Sequence, residues 1–318
     1  MNRTATWLIA GLAVVVVLAF AWRGERGRAV PQLAGEPTVN LAVEAAGRSV
    51  TLPMEAYIQG VVAGEMGQLP PEAGGGEDWP HEAYAAQAIL ARSFALSFLN
   101  ENGVVDITTD VEEAQAYASD KITPAISRAV EATRGMVLVS QGRFVKGWFH
   151  SYSGGHTATA KEGLNYAEAE PGFVAARPMP ENEYVPDEVR AWQAAVPLGE
   201  VAQALRELGR DVGEVAAVEI TERGPSGRAT TLTVRGSGGS AEVHAADLRV
   251  ALGPDRVRST LFESLRVEGG NLIVAGRGYG HGVGLSQWDA FKLAKEGRSA
   301  EEILRAFFQD VEIVKAWD

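Results

Sequence analysis

The chain of 318 residues has no cysteine. That excludes disulfides, zinc-thiolate sites, iron-sulfur clusters and thiol nucleophiles, and it leaves the redox compartment open. Positive charge is scarce: 29 Lys and Arg stand against 41 Asp and Glu, a net charge of −12. Arg3, Arg23, Arg26 and Arg28 all fall in the first thirty residues, so the rest of the chain is more acidic still. Such a body repels phosphates, and nucleic acid is excluded as a partner. What the chain has in quantity is glycine, with 36 residues, which implies sharp turns and close backbone approaches.

One uncharged stretch stands out, at 5–22, with valines at 14–17 and Trp7 and Trp22 near its ends. A helix of that length just spans the ~30 Å of a bilayer core, and tryptophan favours the interface. It reads as an uncleaved single-pass anchor. Ala19-Phe20-Ala21 also resembles a small-x-small cleavage site, so a cleaved signal peptide is the alternative. Both place the remainder outside the cytoplasm, on the cell membrane or secreted.

The expected organisation is an anchor or signal segment and tether at 1–36, then one domain at 37–318 with a smaller lobe inserted around 187–260. Strands are expected at 38–43, 49–52, 136–140, 143–151, 215–222, 229–235 and 272–275. Helices are expected at 53–66, 81–100, 122–133, 186–208, 245–252, 286–296 and 299–308. Helices and small antiparallel sheets mix without a regular βαβ repeat, so the fold class is α+β around a central cleft.

Glu65 shares a helical face with Tyr57 and Val61, which puts a carboxyl on an apolar side. Burial would raise its pKa and let it donate a proton near neutrality. The alternative is a frayed helix end, helped by Gly64 and Gly67. Arg92 falls on a helix with no polar face. It needs a partner, either Glu65, Asp106, Asp110 or an acidic group on a substrate, unless its head reaches water. The segment HSYSGGHT at 150–157 ends a strand and opens a polar loop, a good cleft wall. It has no G-x-S-x-G elbow. His150 and His156 are weak metal candidates that need a third ligand from elsewhere. The run GRGYGHGVG at 276–284 places glycine at every second residue and is not a nucleotide loop, because His281 stands where such a loop needs glycine.

Four blocks resemble the stage II sporulation protein D family: EAYIQGVVAGEM at 55–66, WPHEAYAAQAILARSFAL at 79–96, HSYSGGHT at 150–157, and 276–287. The resemblance implies a membrane-anchored peptidoglycan lytic transglycosylase, with Glu65 as catalytic acid and Arg92, Ser151, Ser153, Tyr279 and His281 lining the substrate cleft. Its substrate would be the MurNAc-GlcNAc bond of cell-wall glycan strands. The alternative within the resemblance is a non-catalytic peptidoglycan-binding module that recruits or stimulates a cell-wall amidase. No cofactor is expected. Some family members hold zinc through His and Cys, and here only His150 and His156 are present to substitute.

Overall fold

A computed structural model describes residues 32–43, 47–110 and 114–318. The apolar stretch at 5–22, expected as anchor or signal segment, lies outside the described residues. Among those described, no helix is long and apolar enough to cross a membrane.

The architecture is α+β, with small sheets and helices around two hydrophobic cores. The first core begins with the antiparallel pair β1 (Thr38–Val43) and β2 (Arg48–Pro53), in register from Thr38↔Pro53 to Val43↔Arg48. Pro53 ends β2 and caps α1 (Met54–Glu65), where its missing N–H costs nothing. After Pro80 comes α2 (His81–Leu96), buried almost without interruption from Ala83 onward. This agrees with its lack of a polar face. Beside β1 runs β3 (Val104–Thr108), parallel to it. Thr123 then caps α3 (Pro124–Ala132), accepting from the Ile126 N–H. The strands β4 (Met136–Ser140), β5 (Arg143–Phe144) and β6 (Phe149–His150) follow. The single strand expected over 143–151 is thus broken. At the break a Cβ on Gly147 would sit 2.1 Å from Leu90 Cδ1, so the chain is pressed against α2 rather than paired.

The capping box Thr159/Glu162 starts the short α4 (Ala160–Leu164). The expected helix at 186–208 is three elements: α5 (Asp187–Arg190), β7 (Ala191–Pro197) and α6 (Leu198–Glu207). In β7, Trp192, Ala194 and Val196 are buried and their neighbours are exposed. That period of two wins over the helix propensity of alanine and glutamine because a sheet partner is waiting. The meander β8 (Val215–Arg223), β9 (Ala229–Gly236) and β10 (Gly239–His244) leads to α7 (Ala245–Ala251). A last hairpin, β11 (Phe262–Glu268) and β12 (Asn271–Arg277), returns to β7, from Asn271↔Pro197 to Arg277↔Ala191. The second core therefore runs from Trp192 to Val274, past residue 260 where the inserted lobe was expected to end. The chain then rejoins the first core through β13 (Leu285–Ser286), α8 (Gln287–Lys295), α9 (Ala300–Phe307) and β14 (Glu312–Lys315). β13 lies parallel to β6, and β14 is antiparallel to β4.

The first core holds a buried ion pair. Arg92 Nη2 donates to Glu55 Oε2 at 2.7 Å, and Arg92 Nε bonds both carboxylate oxygens at 3.1 and 3.0 Å. The Val130 carbonyl, at 2.8 Å, and Thr133 Oγ1, at 3.2 Å, take further guanidinium hydrogens. The Gly135 N–H donates to Glu55 Oε1 at 3.0 Å. Burial pulls the Arg92 pKa down while Glu55 opposes it. The pair fastens α1, α2 and the α3–β4 turn together. We expect Arg92→Ala to cost about 3–5 kcal/mol, because it strands a buried carboxylate. In urea denaturation, the double variant with Glu55→Ala should lose clearly less than the two single losses combined.

Candidate active site

The site is built where α1 ends. Gly60 and Gly64 form a shelf on that helix, and the segment 114–118 lies across it. A Cβ on Gly64 would stand 2.6 Å from the Ala116 carbonyl oxygen, and the Ala118 N–H donates to the Gly60 carbonyl at 2.9 Å. This close approach brings the Ala116 N–H to Glu65 Oε1 at 2.6 Å. Tyr57 stacks on Tyr117 with ring centroids 5.9 Å apart, and its hydroxyl reaches Gln115 Oε1 at 3.4 Å. Gln287, at the start of α8, donates to the Glu65 carbonyl at 3.4 Å. The end of α1 is therefore held on two sides rather than frayed.

Glu65 opens on one side into a cleft of about 320 Å³, whose lining includes Phe94, Gln115, Lys146, Trp148, Leu164 and His281. Burial raises its pKa from 4.5 to about 7, against the Ala116 hydrogen bond, which lowers it. Among the described residues lining the cleft it is the one carboxylate. Gln115 is buried and its Nε2 finds no partner within the protein, although its Oε1 is engaged.

His281 is the other sequence-selected residue brought to this cleft. Its Nδ1 accepts from the Val283 N–H at 3.0 Å, so the ring is neutral and Nε2 carries the hydrogen offered to the Phe149 carbonyl. Burial, with Arg249 and Arg228 adding to it, drives its pKa down to about 3. The ring therefore shapes the wall without serving as a base. His150 packs against it, ring centroids 5.5 Å apart, and donates from Nδ1 to the Val283 carbonyl at 3.2 Å. His156 bonds the Thr157 carbonyl at 3.0 Å. Among the described residues no three His, Asp or Glu side chains converge as a metal cage.

The other expected cleft residues lie elsewhere. Arg92 is fully buried on Glu55, a partner outside the set its sequence suggested, and has no surface to offer a substrate. Ser153 is also fully buried: its hydroxyl donates to Asp289 Oδ2 at 2.5 Å, and its N–H donates to Ser286 Oγ at 3.0 Å. Ser151 accepts the Trp288 N–H on its backbone carbonyl at 3.0 Å and is not part of the cleft lining. Tyr279 also lies off the cleft; its hydroxyl donates to Asp255 Oδ1 at 2.5 Å under the Arg258 guanidinium, and its pKa is pushed up to about 12 by burial and that carboxylate.

Two features were not singled out from sequence. Lys146 and Trp148 line the cleft from the broken strand, where an alternating Lys-Gly-Trp-Phe pattern was the available signal. Arg228 crosses from the second lobe, fully buried, and donates to the carbonyls of Ser153 and His156, each at 2.7 Å. A Cβ on Gly282 would meet Arg228 Cζ at 2.4 Å, which explains a glycine there. Gly278, Gly280, Gly282 and Gly284 all have positive φ.

A lone carboxyl whose pKa burial raises to about 7 thus opens onto a cleft walled by aromatic, amide and ammonium groups, where it could give or take a proton near neutrality. The comparisons with known proteins show what the chain is similar to. The family model SpoIID, a stage II sporulation protein, matches residues 44–139. A domain of unknown function, DUF8618, matches residues 180–284, the second lobe. Stage II sporulation protein D of Bacillus amyloliquefaciens is 27% identical over 99% of this chain and 96% of its own length. That of Bacillus subtilis is 28% identical over 88% and 78%. An amidase enhancer of Bacillus subtilis is 23% identical over 72% of this chain but only 37% of its own length.

The glycine run makes a further expectation. At Gly284 φ is +71° and a Cβ would lie 2.1 Å from the Trp148 carbonyl oxygen, which also accepts the Leu285 N–H. Gly284→Ala should cost about 2–4 kcal/mol, combining left-handed strain with a backbone clash. Urea denaturation checks the loss, and tryptophan fluorescence should report a displaced Trp148.

Proposed function

We propose that the chain is a peptidoglycan lytic transglycosylase that cleaves the MurNAc-GlcNAc bond, acting outside the cytoplasm and carried there by the segment at 5–22. The observation that carries this reading is Glu65, a carboxyl sheltered enough to hold its proton to about pH 7 while open to a cleft. Protonated Glu65 gives its hydrogen to the glycosidic oxygen, and the C1–O bond breaks with positive charge developing on the MurNAc ring. The resulting carboxylate then takes the proton of that sugar's own 6-hydroxyl, whose oxygen bonds C1. The products are a 1,6-anhydro end and a free GlcNAc hydroxyl, and Glu65 is protonated again. One carboxyl suffices, whereas hydrolytic glycosidases use two flanking the bond. The Ala116 N–H steadies the carboxylate between the two proton transfers. Likeness to stage II sporulation protein D supports a cell-wall role.

The test is mass spectrometry of purified glycan strands. Wild type should release 1,6-anhydro products, and Glu65→Gln should lower the rate by about a hundredfold or more. Strands that are bound but intact with wild type would favour the non-catalytic alternative, an amidase-stimulating module, to which the amidase-enhancer likeness points.

Two pH dependences follow from the raised pKa of Glu65. Cleavage should decline as pH rises through about 7, since the donor loses its proton there. Folding stability should also decline, between about pH 4.5 and 7, because the folded chain keeps a proton that the unfolded chain releases. Glu65→Gln removes that penalty and should be more stable than wild type at pH 8, by up to ~3 kcal/mol in urea denaturation.

A further inference from the structure

A second depression lies beside the cleft. It has a volume of about 660 Å³ and is lined by Asn40, Ala42, Ser49, Phe98, Asp106, Ile107, Thr108 and Ala114. Ala114 belongs to both linings, so the depression continues the cleft on the other side of that residue. The wall between them is also shared. Phe94 faces the cleft and Phe98 the depression, with ring centroids 5.4 Å apart. The Lys146 ammonium spans both rings, 6.0 and 5.4 Å from their centroids.

The floor of the depression is an ordered polar array on the β1–β3 sheet. Asp106 Oδ1 accepts from Asn40 Nδ2 at 3.0 Å, and Asp106 Oδ2 accepts from Asn100 Nδ2 at 2.7 Å. Thr51 Oγ1 donates to Asn40 Oδ1 at 3.0 Å. These groups hold one another in place at the surface and keep unused donor and acceptor capacity toward solvent. Preset amide and carboxylate planes beside one aromatic face suit a ligand rich in hydroxyls that also has an apolar ring face. An apolar helix would strand the amides, and a polyphosphate would meet the Asp106 carboxylate in a lining that, among the described residues, holds no Lys or Arg.

We propose that this depression is a distal saccharide subsite, which holds sugars of the same glycan strand beyond the bond placed at Glu65. The inference rests on the transglycosylase reading for its ligand. It adds that the enzyme prefers long strands and acts within them, because binding energy gathered away from the reacting bond favours polymer over fragment. Phe98 stacks on a pyranose face, while Asn40 and Asp106 take its hydroxyls.

The test is isothermal titration of the full chain carrying Glu65→Gln, so that ligand is not consumed, with peptide-free glycan oligomers from disaccharide to octasaccharide. The octasaccharide should bind about five- to tenfold more tightly than the tetrasaccharide. Phe98→Ala should remove most of that gain. Ser49→Trp, at an exposed position that can fill the depression without touching the core, should do the same if Phe98→Ala fails to fold. The subsite is overturned if affinity does not rise with length, or if the rise survives in the folded variants. Length-dependent binding by a wild type that leaves glycan intact would sink the cleavage reading alone.

Discussion

A carboxyl group can hold its proton to neutral pH when protein replaces most of the water around it, and part of what covers Glu65 is backbone. Segment 114–118 can lie against α1 because Gly60 and Gly64 have no side chains to hold it off. That approach desolvates Glu65 and supplies the single amide hydrogen that keeps its ionised form accessible. Larger residues on the shelf would keep the segment away and leave an ordinary surface glutamate. The burial of Glu65 thus depends on two places on its own helix where there is nothing.

The rest of the first core holds that arrangement still. The Arg92–Glu55 pair locks α1 to α2 and to the α3–β4 turn, so the helix carrying Glu65 is fixed near its first turn. At its other end Gln287 and the 114–118 segment hold it. Away from the cleft lining, Ser153, Asn182 and Asp289 share a buried network, and burial raises the Asp289 pKa against the hydrogen bonds it accepts. Polar residues near the cleft therefore divide in two: a small set that meets solvent, and a larger set that keeps the first in place.

The face that Glu65 shares with Tyr57 and Val61 was legible in the sequence, because helical spacing alone determines it. What covers that face was not: Gly64 also fits a frayed end, and only the tertiary contact with Ala116 decides between the two. Arg92 announced that it needed a partner, but Glu55 is 37 positions away and no local rule selects it over Glu65, Asp106 or Asp110. Ser153 sits in a loop that looks exposed by composition, yet Asp289 and Arg228 draw it inside. Among the elements, β7 was hidden by alanine and glutamine, whose helical preference yields to pairing with β12. Helices with proline or Ser/Thr caps, such as α1, α3 and α9, were placed to within a few residues, since those caps act locally.

Because Ala191 pairs with Arg277, the second lobe enters and leaves the first through neighbouring strands. Its two ends are close together, so a lobe of this kind can be gained or exchanged in evolution as a cassette, with little demand on the rest of the chain. Arg228 limits that freedom. Its guanidinium is the plug for two loop carbonyls in the first lobe, so any replacement must bring a buried cation to the same spot or leave the histidine loop without its keystone.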